Sequence, residues 1–313
     1  MPRSLAMEIM SAIVSSARNG RTRGGDADLD DERAFEIGEF ERIELAGPFD
    51  TEIQTGGEAK VHASGPRRSL DELRVELQDD CLIIGCDGDC DGDIRIEISL
   101  PRLRSLRTTG SGDVAVGNVK GEEFECASSG SGDLSIDSID VEKLKLTAAG
   151  SGDIRIDKVR AGELDASTMG SGDLSLDAAE GATFMLRLNG SGDAHIEEYC
   201  GEAIEVLVTG SGELAVESIE ANSAKLSVSG SGDIYVADGR ATKLLLETAG
   251  SGDISTEGVE TKEATLSVCG SGDISAQVTG RAEICVMGSG DVSITGGGKC
   301  SVTRGGSGEV SCS

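Results

Sequence analysis

Residues 150–169 read GSGDIRIDKVRAGELDASTM and form one unit of the repeat that decides the fold. The opening Gly-Ser-Gly, followed by Asp or Glu, occurs eleven times, at eight intervals of 20 residues and two of 18. A fixed period of this length is typical of proteins built from stacked structural units. The copies begin at Gly110, Gly130, Gly150, Gly170, Gly190, Gly210, Gly230, Gly250, Gly270, Gly288 and Gly306.

Apolar and polar residues alternate inside each unit. Counting the first Gly as position 1, apolar residues recur at positions 5 and 7, as in Ile154 and Ile156, and at positions 15, 17 and 19, as in Leu144, Leu146 and Ala148. This is the period of a strand and differs from the 3.6 residues of a helix. Two short strands bury their apolar faces only when successive copies stack. The sequence therefore predicts an all-β parallel β-helix, or β-solenoid, of about eleven coils of 18–20 residues.

The repeats divide the chain into three predicted segments. Residues 1–34 form an N-terminal tail or weak leader with an acidic linker, residues 35–108 a β-rich head segment, and residues 109–313 the GSGD-repeat solenoid. Ser15 and Ala17 have the small side chains of a cleavage site, whereas Glu8 interrupts the apolar stretch of a secretory leader. A leader and a short amphipathic or disordered tail are both open hypotheses for the first 23 residues.

The composition is strongly acidic and poor in aromatic residues. The 313 residues carry 57 acidic and 28 basic side chains, and this formal charge of −29 argues against binding along a nucleic-acid backbone. No apolar run approaches the roughly 18 residues that a membrane-spanning helix needs. Because aromatic residues make up only 2 % of the chain, Val, Ile, Leu and Ala must build the core.

The segment that leads into the repeats resembles a known family. Residues 40–65 read FERIELAGPFDTEIQTGGEAKVHASG, residues 73–85 read LRVELQDDCLIIG, and residues 94–116 read IRIEISLPRLRSLRTTGSGDVAV. This order of strands, followed by serial Gly-Ser-Gly-Asp units, is similar to the head GIN domain family, which is named "putative auto-transporter adhesin". The resemblance covers residues 35–313 and implies an extended β-helical body and a cell-envelope or exported protein. It supplies no catalytic residues.

One acidic residue follows the Gly-Ser-Gly corner of every coil. Stacked about 4.8 Å apart, neighbouring carboxylates repel by roughly 1 kcal/mol even in water, so a compensating interaction is expected. We expect hydrogen bonds from the N–H groups of the turn, and favour them over a row of Ca²⁺ ions, which need about six to eight oxygen ligands each. The column comprises Asp113, Asp133, Asp153, Asp173, Asp193, Glu213, Asp233, Asp253, Asp273, Asp291 and Glu309.

A second acidic segment, CDGDCDGD at residues 86–93, resembles the start of an EF-hand loop. Its twelfth position is Ile98 where a bidentate Glu is required, and the flanking sequences alternate like strands, so an acidic hairpin loop is favoured over weak Ca²⁺ binding. The chain has nine cysteines, and a bridge inside this loop is expected if the protein is exported. Their spacing lacks a zinc-site pattern, with C-x4-C-x3-C at positions 81, 86 and 90 and the other six at 126, 200, 269, 285, 300 and 312.

The residues predict no catalytic, cofactor or metal site, so we interpret the protein as a non-enzyme. Its two histidines are His62 and His195, and His195 lies at an outward position, where a surface residue is expected. The leading hypothesis is an acidic rod of the cell envelope or surface that binds a protein or carbohydrate. Alternatives are a self-assembling scaffold and, last, a carbohydrate-active β-helix enzyme. A cytoplasmic location is a further possibility. Val310 and Cys312 continue the inward pattern, which predicts end-to-end self-association through the last coils.

Overall fold

In a computed structural model of the protein, the structure describes residues 30–88, 90 and 93–313. The predicted leader or tail lies outside these residues. The N-terminal region contains strands β1 to β8 and one short helix, α1. Their bounds are Asp30–Phe35 (β1), Arg42–Ala46 (β2), Asp50–Thr55 (β3), Lys60–Pro66 (β4), Arg67–Asp71 (α1), Leu73–Gln78 (β5), Cys81–Cys86 (β6), Arg95–Leu100 (β7) and Ser105–Thr108 (β8).

The repeats form a parallel β-solenoid of about ten turns over residues 105–312, which confirms the predicted fold class. Each repeat from β9 to β16 is one 15-residue strand that bends around the core, and neighbouring coils pair in parallel, as Leu134 with Ile154. The strands are Val114–Ser128 (β9), Leu134–Ala148 (β10), Ile154–Thr168 (β11), Leu174–Leu188 (β12), Ala194–Val208 (β13), Leu214–Val228 (β14), Ile234–Thr248 (β15), Ile254–Val268 (β16), Ile274–Val286 (β17), Val292–Thr295 (β18), Lys299–Arg304 (β19) and Val310–Cys312 (β20).

The core is one continuous stack of the inward residues that the alternation predicts. Positions 5, 7, 15, 17 and 19 are buried through the middle coils, and position 10 adds a sixth inward position. Two buried aromatic side chains of these coils, Phe184 and Tyr199, lie against each other with ring centroids 5.8 Å apart. Tyr199 also donates a hydrogen bond from its hydroxyl to the carbonyl oxygen of Ala203, which satisfies its buried polar atom.

The N-terminal region continues the same stack. Strand β2 pairs in parallel with β8, and β3 pairs in parallel with β9, so these two strands complete a coil below the first repeat. Gly47 occupies the corner of that coil. A Cβ atom on Gly110 would lie 1.8 Å from the carbonyl oxygen of Gly47, which explains why the corner of the coil above requires glycine.

Antiparallel strands cover the other side of this first coil. Strands β6 and β7 pair with β2 and β3, and β5 and β4 then add to them in antiparallel fashion. Strand β1 pairs with β4, so residues 30–34, which we assigned to the acidic linker, are part of this sheet. Because the outer strands at this end pair in antiparallel fashion, they limit the addition of further parallel coils.

The described chain contains one disulfide in the N-terminal region and one in the last coil. Cys86 bonds to Cys90 in the acidic loop, in line with the bridge expected there, and Cys300 in β19 bonds to Cys312 in β20. Cys312 is exposed, although the alternation predicted an inward side chain, because β20 is stacked on β18 alone. The free cysteines are Cys81, Cys126, Cys200, Cys269 and Cys285.

Candidate functional site

The aspartates of the corner column form a ladder of hydrogen bonds along the rod. The N–H of Asp133 donates to Oδ1 of Asp113 at 2.9 Å, and the N–H of Asp153 donates to Oδ1 of Asp133 at 2.8 Å. The carboxylates accept hydrogen bonds from backbone N–H groups, as we expected. Each donating N–H, however, lies in the neighbouring coil and not in the turn of the accepting residue. Equivalent bonds of 2.7–2.8 Å are made by the N–H groups of Asp173, Asp193, Glu213, Asp253, Asp273, Asp291 and Glu309.

The ladder is interrupted at the coil of Glu213. In the part of the chain that the structure describes, no hydrogen bond joins the N–H of Asp233 to the carboxylate of Glu213. The reason is the additional methylene of Glu, which moves the carboxylate away from the position that an Asp carboxylate takes. Glu213 therefore keeps its place in the column while its carboxylate is available for other contacts.

A second row of acidic residues runs parallel to the column at position 8. Position 4 directly precedes the strand that contains positions 6 and 8, and alternate residues of an extended backbone project from the same face. We call this surface the acidic face. Its rows at positions 4 and 8 contain seventeen carboxylates in the repeats, and the row at position 8 consists of Asp137, Asp157, Asp177, Glu197, Glu217 and Glu257.

Arginine 155 is the one basic side chain in positions 4, 6 and 8 of the repeats. The Arg155 guanidinium lies 3.5 Å from Asp157 and 2.6 Å from Asp177, and so neutralises part of one end of the face. Partial burial raises the pKa of Asp137 above its ordinary value, and the nearby carboxylates of Asp157 and Glu52 raise it further. Ionisation of Asp137 is thus opposed by desolvation and by neighbouring carboxylates.

The remaining surfaces of the solenoid carry nearly all of its basic residues, and many of these pair with an acidic residue in a neighbouring coil. Lys145 lies 2.9 Å from Glu125, and Lys225 lies 2.8 Å from Glu205, in each case one coil away. Similar pairs are Lys143–Glu163, Arg160–Glu180, Arg187–Asp165, Arg240–Glu260 and Lys243–Glu263. Exposed pairs of this kind each stabilise a fold by less than about 1 kcal/mol, but they balance the local charge. The unbalanced negative charge of the solenoid is therefore concentrated on the acidic face.

The histidines are far apart in the fold. His195 is exposed in the central row of the acidic face, as predicted for an outward position, and His62 lies in β4 at 3.7 Å from Glu32. Within residues 30–88, 90 and 93–313, no three or more His, Cys, Asp or Glu side chains are grouped so as to hold a metal ion.

The acidic loop that resembles an EF-hand is a connection between strands. Strands β6 and β7 flank it, as the alternation predicted. Asp87 lies 3.4 Å from the Arg74 guanidinium, whereas Asp89, Asp91 and Gly92 lie outside the described residues.

The Cys126 thiol is buried, and this raises its pKa to about 12, so it does not ionise as a reactive thiolate at neutral pH.

Sequence reasoning missed Asp50 as the first member of the ladder. Asp50 accepts the N–H of Asp113 at 3.1 Å from the coil that β2 and β3 form. Residues 46–50 read AGPFD where the first repeat has TGSGD. The shared Gly and Asp, three residues apart, are the signal that identifies this corner. Pro48 and Phe49 replace the Ser and the second Gly, which hides the similarity.

The protein is a β-solenoid whose stack of coils is continued by the head. Its candidate site is an extended acidic surface and not an enclosed pocket. The chain belongs to the family described as "Putative auto-transporter adhesin, head GIN domain", whose profile matches residues 39–197 and 184–298. No curated protein matches the chain. Within the described region, no helix is long and apolar enough to cross a membrane.

Solved structures of putative adhesins are similar to this chain. A putative adhesin from Bacteroides fragilis is 22% identical, with a TM-score of 0.52 over 72% of this chain and 96% of its own. A putative adhesin from Parabacteroides distasonis is 14% identical, with a TM-score of 0.39 over 92% of this chain and 98% of its own. The first likeness supports the fold, and the second is too distant to add to that argument.

Proposed function

We propose that this protein is a non-catalytic component of the cell surface or envelope that presents the acidic face to a cationic partner. The observation that carries the proposal is the segregation of charge, because the acidic face is nearly free of basic residues while the other surfaces of the solenoid carry basic residues that offset much of their negative charge. Membership of an adhesin family supports a role in binding at the surface.

The stacking of the coils suits the binding of a cationic partner. Each middle coil is hydrogen-bonded to a coil above and a coil below, and the Asp ladder adds a further contact at every corner except the one above Glu213. Such stacking holds the carboxylates in fixed rows, so a ligand does not have to order them on binding. Preorganised charge of one sign favours fast, salt-dependent association with a partner of the opposite sign.

The experiment compares two variants with the same change in net charge. The face variant carries Asp137→Asn, Asp157→Asn, Asp177→Asn, Glu197→Gln and Glu217→Gln. The control variant changes five exposed, unpaired acids on other surfaces, Glu122→Gln, Asp140→Asn, Glu142→Gln, Glu202→Gln and Glu220→Gln. We expect polylysine to bind the natural protein in a salt-dependent manner, with at least tenfold loss in the face variant and less than twofold loss in the control. Equal losses, or no binding to the natural protein, would overturn the proposal.

The location is tested separately in the source cells. We expect the protein in the envelope fraction, accessible to a membrane-impermeant label on intact cells. Recovery in the cytoplasmic fraction without labelling would contradict the envelope assignment.

End-to-end self-association is a second candidate, favoured by the edges of the last strands. In the described chain, β19 pairs with β17 and β20 pairs with β18, each along one edge, and Val302 in β19 is 43% exposed. Free strand edges template pairing with another chain. Sedimentation over a wide concentration range is expected to show larger species that disappear when Val302 is changed to Lys. A strict monomer at all concentrations would exclude this function.

A further inference from the structure

The strands of the rod form two strand rows, one on each side of the core. The first strand row consists of β5, β6, β2, β8, the second halves of β9 to β17, and β19, whereas the second consists of β1, β4, β7, β3, the first halves of β9 to β17, β18 and β20. In the described chain, the outermost strands have one pairing partner each: β5 and β1 at the head end, and β19 and β20 at the tail end. Each end therefore offers two free strand edges to another chain.

The edge strands at the two ends carry opposite net charge. Strands β19 and β20 contain Lys299 and Arg304 and no acidic residue, whereas β1 and β5 contain four acidic and two basic residues. Lys299 and Arg304 are exposed, and within the described chain neither forms an ion pair. A tail-to-tail contact between two copies brings these cations together, and a head-to-head contact brings the acidic strands together. Charge complementarity therefore favours a contact of the tail with the head.

Each end also leaves an apolar side chain of the core exposed. Val302 in β19 is 43% exposed although it pairs with the buried Ile284, and Leu77 in β5 is 37% exposed although it pairs with the buried Leu82. Residues opposite each other in paired strands project from the same face, so both side chains point to the core side. They are exposed because no strand lies beyond them. A further strand at either edge would cover them and extend the core.

The outlines of the two ends determine how two copies fit together. Successive strands of one coil rise by half a strand spacing, or about 2.4 Å. At the tail end, β20 follows β19 and projects beyond it by this amount. At the head end, β3 lies half a spacing nearer the tail than β2, but three strands lie outside β3 and two outside β2, so β1 projects beyond β5. A half turn of the second copy about the rod axis brings the projecting β1 onto the recessed β19 and the projecting β20 onto the recessed β5.

After this half turn, the first contact is between β19 and β1. Strand β1 is antiparallel to β4, which is antiparallel to β7, so β1 runs in the direction of the coils and adds to β19 in parallel. Phe35 at the end of β1 packs on the core, as Val302 does in the other copy. With Val302 beside Phe35, Lys299 lies beside Glu32 on the outer face. One register thus joins an apolar pair and an ion pair.

The second contact is between β20 and β5. Strand β5 runs against the direction of the coils, because it is antiparallel to β6, and it adds to β20 in antiparallel fashion. Val310 of β20 pairs with the buried Val292 and so points to the core side, where it meets the exposed Leu77. The antiparallel strands of the head limit the addition of a complete parallel coil, but they leave one edge of each direction for these two strands.

We propose that the protein polymerises head to tail, with β19 and β20 of one copy paired to β1 and β5 of the next copy after a half turn. A contact between different surfaces at opposite ends of a rod builds an open filament and not a closed oligomer. The two strand rows contain fourteen and fifteen strands and alternate along the filament, so each copy adds roughly 70 Å at about 4.8 Å per strand. This inference rests on the self-association proposed above, because it names the surface of the second copy that receives the last strands.

The test blocks one end at a time in the full chain. Leu77→Lys adds a cation to the head, opposite the basic tail, and Val302→Glu adds an anion to the tail, opposite the acidic head. Sedimentation is measured at about 0.15 M salt, where repulsion between the acidic rods is screened beyond about 8 Å. We expect species larger than a dimer for the natural protein, and at least tenfold weaker association for each variant alone. Met169→Lys, at an apolar residue with 54% exposure on the side of the rod, should have no effect.

A one-to-one mixture of the two blocked variants gives the sharpest result. The intact tail of the Leu77→Lys protein is able to bind the intact head of the Val302→Glu protein, so we expect the mixture to form dimers and nothing larger. Electron microscopy of the natural protein should show filaments with an axial rise of roughly 70 Å per copy. Thermal melting of each variant checks that the fold is retained.

The outcomes separate this inference from self-association in general. Dimers that persist in the Leu77→Lys protein and disappear in the Val302→Glu protein would indicate a tail-to-tail contact, which leaves the self-association intact and overturns the head-to-tail filament. Larger species that neither substitution affects would also overturn the filament, since its two edges would not form the contact. A natural protein that remains monomeric at all concentrations would overturn both proposals.

Discussion

The backbone N–H of Asp113 donates a hydrogen bond to Oδ1 of Asp50, 63 residues earlier in the chain, over 3.1 Å. This contact joins the corner of the first repeat to the corner formed by β2 and β3. The intervening residues build the antiparallel strands that cover the end of the stack. The head and the solenoid therefore share one ladder and one core. A substitution in the ladder is expected to affect the same kind of hydrogen bond, from a backbone N–H to a carboxylate, in either part.

The role of the ladder is tested at Asp153, which accepts the N–H of Asp173. Asp153→Ala removes this acceptor but also relieves repulsion between neighbours, and we expect a net loss of about 1 kcal/mol in the free energy of unfolding. Asp153→Asn retains an acceptor oxygen and removes the charge, so its stability should equal or exceed that of the natural protein. Urea unfolding measures both, and equal losses in the two variants would contradict the hydrogen-bonding role.

Glu213→Asp should complete the ladder. The shorter side chain places a carboxylate where the N–H of Asp233 is able to donate, and one additional hydrogen bond contributes about 0.5–1.5 kcal/mol. We therefore expect a higher unfolding midpoint for this variant. Asp193→Glu is the reverse change in a coil where the ladder is intact, and it should lower the midpoint. An unchanged midpoint in both would contradict the explanation of the interruption.

The inward and outward assignment is tested by two adjacent substitutions in β10. Leu146 is 2% exposed, and Leu146→Asp buries a charge without a partner between two coils, with an expected loss of several kcal/mol. Lys145→Asp removes an exposed ion pair with Glu125 and should cost about 1 kcal/mol at most. Similar losses from both changes would show that the assignment is wrong.

The repeat alone predicts the stack because its period fixes both the coil and the inward side chains. It does not predict the coil of β2 and β3, since Pro48 and Phe49 obscure its corner, nor the disulfide of Cys300 and Cys312, which joins different positions of successive units. The period does place Arg155, His195 and Tyr235 at intervals of two coils on one row. It does not predict the interruption of the ladder at Glu213, which depends on where the longer side chain puts its carboxylate relative to the next coil.

The raised pKa of Asp137 predicts that the difference in stability between the Asp137→Asn variant and the natural protein depends on pH. Because its folded-state pKa lies above the unfolded value, ionised Asp137 destabilises the fold at neutral pH, and this penalty disappears as the pH falls through the folded-state pKa. Asp137→Asn should therefore be more stable than the natural protein at pH 7, and the difference should shrink in acid. Melting temperatures measured from pH 7 to pH 3 check this expectation, with Asp140→Asn, an exposed acid outside the row, as the control. A constant difference would contradict it.

The last coil depends on the disulfide between Cys300 and Cys312 more than an internal coil would. Strand β20 has three residues and pairs along one edge with β18, and hydrogen bonds of 2.9 Å from Gly297 N–H to the Ser313 carbonyl and from Ser313 N–H to the Ile294 carbonyl add to this pairing. Closing a loop of about 15 residues stabilises a fold by roughly 3 kcal/mol in the chain-entropy description, which is a large contribution for so short a strand.

We therefore expect Cys312→Ser to release β20 while the middle coils are retained, since each coil of a solenoid interacts only with its neighbours. Hydrogen exchange should accelerate in β18 and β20 and stay unchanged in β12. A reducing agent should have the same effect on the natural protein, whereas Cys285→Ser, which removes a free thiol, should have none. Full protection of β18 and β20 in the Cys312→Ser protein would show that strand pairing, without the disulfide, is sufficient to close the last coil.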